Sequence, residues 1–542
     1  MDTAAFDLPL LAVLGSAAAL LVLAYQTAVP YPILLVIGGA GIGFIPGLPA
    51  VELPPEAVLV IFLPPLLYSA AFFSSLRDLR DNMRPIGLLA IGLVVMTTLG
   101  VGLVAHAVVD DLSWAAAFLL GAIVAPTDPV AATAIASRSG APRRIVTVLE
   151  GESLVNDATA LVAYKVALAA VLTGTFSLFD ATGSFVWQSV AGVGIGIAVG
   201  AAVAEVRRVI EDAPTEITIS LITPYFAYLP AEALGVSAVL AAVTSGIWLG
   251  WRAPRLITSA TRIQLYSVWE VLTFVLNAAL FLLVGLQLPG IVERISDDYS
   301  GGELAVWAAV VAGAVIVIRF LWVFPATYLP RRLSRSLRER DPVPPAGAIV
   351  VLAWVGMRGA VSLAAALALP AASPELPARD LIVFLVYGVI LVSLLLEGAT
   401  LGPMIRVLGL HDDGRLDRIE VKARIKAAKA AITRIDELIG EDWVREESAT
   451  RLRAFHEFRI RRFRARFDDD DDGAIDDRSV AYQHLQRSVL EAQREEVIRL
   501  RDGRFINDEV LRRIEHDLDL EDARLEIPVG SVIESGRVAA AG

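Results

Sequence analysis

The sequence predicts an all-α polytopic membrane protein: about thirteen transmembrane helices in inverted repeats with two broken, crossing helices, followed by a helical cytoplasmic tail. Hydropathy is the first reason. Of 542 residues, 56% are hydrophobic and only 20% charged, with a mean hydropathy of +0.62. A soluble domain of this size carries more charge and less apolar surface. Charge placement is the second. Residues 1–410 hold 22 Lys and Arg against 28 Asp and Glu, whereas the much shorter stretch 411–542 holds 25 and 31. The chain therefore divides into a membrane domain, 1–410, and a mostly helical cytoplasmic domain, 411–542, of regulatory type.

Breaks at Pro, Gly and charged loops delimit thirteen spans. They lie at roughly 8–25, 31–48, 56–73, 85–108, 113–137, 145–172, 184–204, 215–230, 234–250, 266–289, 303–329, 346–369 and 380–407. Arginine placement is the third reason. Loops on one side carry sixteen arginines, from Arg77 to Arg340, and those on the other carry two, Arg294 and Arg379. The positive-inside rule puts the sixteen in the cytoplasm, with the N-terminus outside and the tail inside. That arrangement requires an odd number of spans. Within the tail, Arg424–Leu438 and Glu509–Leu520 repeat apolar residues at helical spacing. The acidic run Asp468–Asp472 before Gly473 reads as a solvated linker, with a calcium role the weaker alternative.

Several function classes fall away. Net charge is −12, so neither part offers a basic nucleic-acid footprint. Absence of cysteine removes disulfide frameworks and thiolate metal sites. Four of the five histidines lie in the tail, leaving little for a membrane metal centre. The start, Met1 to Asp7, has two acids and no Lys or Arg, so the first apolar segment is kept as structure.

Ionisable groups inside spans cost roughly 2.5–3.5 kcal/mol each on insertion scales, so each needs a reason. The fifth span reads Pro126-Thr127-Asp128-Pro129. Two prolines three residues apart remove two backbone donors and predict an unwound centre between half-helices. Asp128 then stands where the positive N-terminus of a half-helix wants a countercharge. The sixth span carries Glu150, Glu152, Ser153, Asn156, Asp157 and Lys165. Helical spacing puts Glu152 and Asn156 on one face and Ser153 and Asp157 on its neighbour, an oxygen ladder suited to a hard cation such as Na⁺. The twelfth span reads Gly356-Met357-Arg358-Gly359, which predicts a second broken helix seven spans after the first. Spans one to six and eight to thirteen then match as an inverted repeat, with the seventh as linker.

Weaker features remain. Arg319 and Glu397 can pair across spans eleven and thirteen or reach an interface, and Lys165 can snorkel outward. His106 lies near a span end and is incidental. Gly192, Gly196 and Gly200 recur every fourth residue, a helix-packing face.

These motifs resemble the bacterial branch of the monovalent cation/proton antiporters, the sodium/proton exchanger family. The matching stretches are Ala125-Pro-Thr-Asp-Pro129, Glu152-Ser-Leu-Val-Asn-Asp157 and Gly356-Met-Arg-Gly359, and the likeness covers the whole membrane domain. The resemblance implies a homodimer in the bacterial plasma membrane, with a six-helix core moving against a dimerisation domain in elevator fashion. It implies that Asp157 binds the ion and the proton, and that Asp128, the Thr127 backbone and Ser153 complete a Na⁺ site. It further implies that Asn156 supports them and that Glu152 pairs with Arg358. One position departs: after Leu63-Pro-Pro-Leu-Leu-Tyr68 the chain has Ser69, where relatives often have an acid.

The expected activity is secondary transport without a cofactor or enzymatic step. Na⁺, with Li⁺ or K⁺ as alternatives, is exchanged for H⁺, one for one, by competition for a single carboxylate. A K⁺/H⁺ antiporter and a cation channel are the rival transport readings. An intramembrane hydrolase is set aside, because Ser153 and Lys165 stand about 18 Å apart along one helix.

Overall fold

The structure is a computed structural model describing residues 3–27, 29–45, 55–210, 212–370, 376–412, 414–465 and 474–525. Among these residues every regular element is helical. The acidic run Asp468–Asp472 lies outside them. The chain divides into two compact units, Met1–His411 and Asp412–Gly542.

In the first unit, α1 (Thr3–Gln26), α2 (Tyr31–Gly43) and α3 (Pro55–Phe73) are followed by two short helices, α4 (Leu76–Asp81) and α5 (Met83–Gly87). A π-helical turn, Leu88–Leu93, joins α5 to α6 (Val94–Val108). Next come α7 (Trp114–Val124), α8 (Pro129–Arg138), α9 (Arg143–Thr173), α10 (Leu178–Arg207), α11 (Ala213–Ala233) and α12 (Ala238–Leu256). Then follow α13 (Ser259–Leu286), α14 (Leu288–Ile295), α15 (Gly301–Leu333), α16 (Arg335–Arg340), α17 (Ala346–Trp354) and α18 (Ala360–Leu367). The unit closes with α19 (Arg379–Val392), a π-helical turn at Ser393–Glu397, and α20 (Gly398–Val407).

Within the described residues, each apolar stretch falls on one helix or on helical pieces joined by an interruption or a π-helical turn. Seven stretches among the described residues are long and apolar enough to cross a bilayer by themselves: 83–108, 114–138, 143–173, 179–207, 259–295, 301–333 and 379–407. The others fall short because their described apolar windows are brief or diluted by polar side chains. Helix starts follow capping chemistry. Ser113, Ser177, Ser237 and Thr258 each accept an N–H from the first turn of the helix they begin, and Ser300 with Glu303 forms a full capping box. Asp212 caps α11, and hydrogen bonds from the Thr215 hydroxyl and N–H hold its carboxyl below the usual range.

The helices α7 and α19 are apolar all round and sit at the centre of the packing, in one cluster with Leu120, Ile123, Val351, Leu385 and Ile390. In lipid such packing rests on close van der Waals contact, which favours small residues between helices. The seam between α10 and α12 shows this. A Cβ added to Gly196 would stand 2.5 Å from the Ala241 carbonyl oxygen and 2.7 Å from Thr244 Cβ, and one on Gly192 2.5 Å from Ser237 O.

In the second unit, α21 (Arg415–Leu438) packs on α22 (Glu446–Ala465), and α23 (Ala474–Asp502) on α24 (Asp508–Leu525). Cross-links such as Arg453–Asp436 at 2.5 Å and Arg494–Asp519 at 2.7 Å mark both pairs as antiparallel hairpins.

The α10–α12 seam yields a paired prediction. Gly196→Val overpacks it and destabilises the protein by about 1–3 kcal/mol. Gly194→Ala, on a face with nothing within 4 Å of the new Cβ, leaves the Tm unchanged or slightly higher. Equal Tm shifts for the two in thermal melts of the purified protein contradict a glycine-dependent seam.

Candidate functional site

The site forms where two interrupted helices cross. The first interruption separates α7 from α8 at residues 125–128. Pro126 and Pro129 lack the N–H a continuous helix needs there. Asp128, extended at φ −92 and ψ 120, starts α8 by accepting the Val130 N–H at 2.9 Å. The second separates α17 from α18 at 355–359. The two touch directly: the Asp128 N–H donates to Met357 O at 2.7 Å. A Cβ on Gly359 would stand 2.6 Å from Asp128 Cγ, so glycine is the residue that admits this crossing.

Both helix ends facing this crossing with carbonyls meet an arginine. The Arg358 Nε donates to Val124 O at 2.9 Å, at the C-terminus of α7, and its Nη1 donates to Gly356 O. The Arg319 Nε donates to Leu352 O at 3.0 Å, in the last turn of α17. Amides of the second interruption are met from the π-helical turn: Gly356 N–H donates to Glu397 Oε2 at 2.6 Å, and Arg358 N–H to Ser393 Oγ at 3.0 Å.

The expected Glu152–Arg358 pair does not form. Glu152 is held bidentately by Arg319, Nη1 to Oε1 at 2.6 Å and Nη2 to Oε2 at 2.8 Å, with both side chains almost fully buried. The planar guanidinium fork matches a carboxylate that α15 brings into range, while Arg358 is turned to the end of α7. An Arg319–Glu397 pair is likewise replaced by the contacts above. Glu152 extends the network, because Thr127 Oγ1 donates to its Oε1 at 3.0 Å and Asn156 Nδ2 to Thr127 Oγ1 at 2.8 Å. The network therefore ties α15, α9 and the first interruption together.

Beside the crossing lies a cavity of about 330 Å³ lined by Asp128, Asp157, Thr127 and Ser153. Its walls are otherwise mostly apolar, with Ser69 of α3 and Asn277 of α13 among the exceptions. Asp157 is 5% exposed, and among the described residues no protein group hydrogen-bonds its carboxylate. Glu152 and Asn156 serve the network, while Ser153 and Asp157 line the cavity. Among the described residues no three His, Cys, Asp or Glu side chains cluster to hold a metal ion. What the cavity offers is oxygen: the three carboxylates of Asp128, Glu150 and Asp157, the Thr127 group and hydroxyls. Such ligands suit a hard monovalent cation or a proton. Ser393 and Asn277 have no assigned place from sequence, and for Arg319 and Glu397 the sequence leaves open pairing with each other or reaching an interface. The two charged ones were visible as costly, but their partners depend on helix register.

Arg319→Ala leaves Glu152 as an unpaired buried charge and lowers stability by about 3–5 kcal/mol, whereas Glu152→Leu with Arg319→Met loses far less. Thermal melts check this. A wild-type Tm in Arg319→Ala contradicts a stabilising pair.

With this geometry in place, comparison with known proteins is direct. The family described as "Sodium/hydrogen exchanger, transmembrane" matches residues 10–407. An uncharacterised Na(+)/H(+) exchanger of Mycobacterium tuberculosis is 35% identical over 514 residues, covering 94% of each chain. The Na(+)/H(+) antiporter NhaP of Pseudomonas aeruginosa is 37% identical over 357 residues, 65% of this chain and 81% of that one. A Bacillus subtilis protein named sodium, potassium, lithium and rubidium/H(+) antiporter is 34% identical over 65% of this chain and 54% of its own. The sodium proton antiporter MjNhaP1 of Methanocaldococcus jannaschii shares the fold, with a TM-score of 0.56 at 21% identity, over 74% of this chain and all of that one. The chain is a multi-pass membrane protein and belongs to the sodium/hydrogen exchanger family.

Proposed function

We propose that the protein exchanges Na⁺, with Li⁺ or K⁺ as alternatives, for H⁺ by competition at Asp157. The observation that carries this reading is a carboxylate in the cavity without a protein partner, beside helix ends that are already countercharged. Asp128, the Thr127 backbone and Ser153 complete the Na⁺ site, supported by Asn156, Glu152 and Arg358. An empty, ionised Asp157 is costly to carry through low-dielectric surroundings. Loaded with either a cation or a proton, the site is closer to neutral and can move. Competition for one carboxylate then enforces exchange, and the two gradients set its direction.

The transport cycle we infer is elevator-type alternating access in a homodimer of the bacterial plasma membrane. Thirteen spans place the N-terminus outside and the 411–542 domain in the cytoplasm, where it regulates transport. Sixteen arginines on one side support the orientation. Two interruptions seven spans apart, each meeting an arginine at a carbonyl end, support inverted repeats of spans one to six and eight to thirteen. No cofactor takes part.

Asp157→Asn keeps the shape but cannot trade a proton for a cation. It abolishes Na⁺-driven proton flux in proteoliposomes while the protein stays folded, and normal flux in this variant removes Asp157 from its role. Asp128 already serves the N-terminus of α8, so one proton exchanges for one monovalent cation with no net charge moved. With matched ion gradients and a valinomycin-clamped potential, the exchange rate is insensitive to voltage. A steep voltage response points instead to a second titrating carboxylate, Asp128 first.

A further inference from the structure

The Asp157 cavity has a second polar wall. Most hydroxyls on its α3 and α13 sides are satisfied on their own helices. Ser69 Oγ donates to Leu66 O at 3.0 Å, Ser74 Oγ to Ala70 O at 2.6 Å and Thr273 Oγ1 to Trp269 O at 2.7 Å. Asn277 differs. It lies one turn beyond Thr273 on α13, lines the cavity and is only 9% exposed. Among the described residues no protein group hydrogen-bonds its side chain. Ser362 of α18 lines the same cavity, with its Oγ buried and unpartnered.

An amide that lines a cavity without a protein partner leaves its C=O and its NH₂ to be satisfied by what occupies the cavity. It is tolerated where the occupant of a cavity satisfies it. Its oxygen is a hard, neutral donor of the kind that replaces hydration water around an alkali cation. The surrounding side chains of Phe62, Leu66 and Leu280 supply no such group.

We propose that Asn277 is a specificity-determining ligand of the transported cation, its amide oxygen replacing one hydration water while Asp157 supplies the charge. This rests on Asp157 being the ion-binding carboxylate. Asp157 is carried by α9, whereas α13 packs on α2, α3 and α18, so the ion is held from two separate walls. A proton on Asp157 has no need of the Asn277 oxygen. The amide therefore acts on cation affinity and on choice among cations, and leaves the proton step alone.

The test compares full-length wild type, Asn277→Leu, Asn277→Asp and Asp157→Asn in proteoliposomes under an imposed pH gradient, titrating Na⁺, Li⁺ and K⁺ in turn. Asn277→Leu raises the KM for Na⁺ roughly tenfold with little change in kcat, as loss of one oxygen ligand demands. It also alters the Na⁺-to-Li⁺ KM ratio, and at saturating Na⁺ its pH profile matches wild type. Asn277→Asp, which keeps an oxygen in the same shape, restores the KM to wild type or below. Na⁺-dependent protection in thermal melts gives a readout independent of turnover: Asn277→Leu needs more Na⁺ for the same rise in Tm. Should Asn277→Leu fail to fold, Asn277→Ala carries the same expectations. A wild-type KM in the folded variant overturns the proposal. So does an equal loss of kcat for every cation that Asn277→Asp does not repair, which marks a packing role. Exchange that persists in Asp157→Asn overturns the ion-site reading itself, whereas an inactive Asp157→Asn beside a wild-type KM in Asn277→Leu overturns this proposal alone.

Discussion

Four helix ends meet inside the first unit, and the fold depends on side chains that answer three of them and the interruption before the fourth. A terminus leaves unpaired N–H or C=O groups and about half a unit charge, which surroundings without water do not screen. Arg358 answers the carbonyl end of α7 and Arg319 that of α17. Asp128 answers the amide end of α8, while Glu397 and Ser393 take amides of the second interruption. Three of these five partners come from α15 and the π-helical turn after α19. Neither interruption can therefore form ahead of the bundle around it. The breaks and the packing of their neighbours are one cooperative structure.

That coupling explains which parts of the site were legible in the sequence. The interruptions were, because Pro126 and Pro129 are local obstacles to a helix, and glycines beside Arg358 at mid-span are a local anomaly. The ladder on α9 was legible too, since helical periodicity alone assigns its faces. Partner choice was not. Composition says that Glu152 needs a cation, but Arg319 and Arg358 are both buried arginines on distant helices. Only the register of α15 against α9 decides between them. The π-helical turns at Leu88–Leu93 and Ser393–Glu397 leave no periodic signal either, because one misplaced turn does not disturb a uniformly apolar segment. Asn277 was passed over for a different reason. Weighing ionisable groups alone misses a neutral amide whose cost appears only once its burial and lack of a partner are known.

The corrected pairing also changes what the arginines do. Were Arg358 bound to Glu152, the end of α7 would lack a counterion, and the crossing would sit against an uncompensated negative pole. With Arg319 on Glu152, both arginines combine two tasks, since Arg319 also reaches the Leu352 carbonyl. A single bidentate pair thus anchors α9 to α15 and to the end of α17. Thr127 and Asn156 carry the anchoring into the first interruption through hydrogen bonds of 3.0 and 2.8 Å. The ladder on α9 is therefore split in function: one face holds the backbone of the crossing in place, and the adjacent face is left to the cavity.

Asp157 is what remains after this pairing. Other charges at the crossing have protein partners: Asp128 an amide, Glu152 a guanidinium, Glu397 an amide, and the two arginines carbonyl oxygens, whereas the half-buried Glu150 shares the cavity with Asp157. A lone buried carboxylate has two ways to lower its cost, neutralisation by a proton or by a bound cation. If the surrounding protein could rearrange to lend it a donor, a third way would open and the empty site could move without cargo. In this arrangement Thr127, Asn156 and Arg319 bond within the network and the Arg358 Nε bonds to the end of α7, so none of them is turned to Asp157. A neutral oxygen such as that of Asn277 can then bias which cation wins without giving the carboxylate a charged partner that would release it from the need for one.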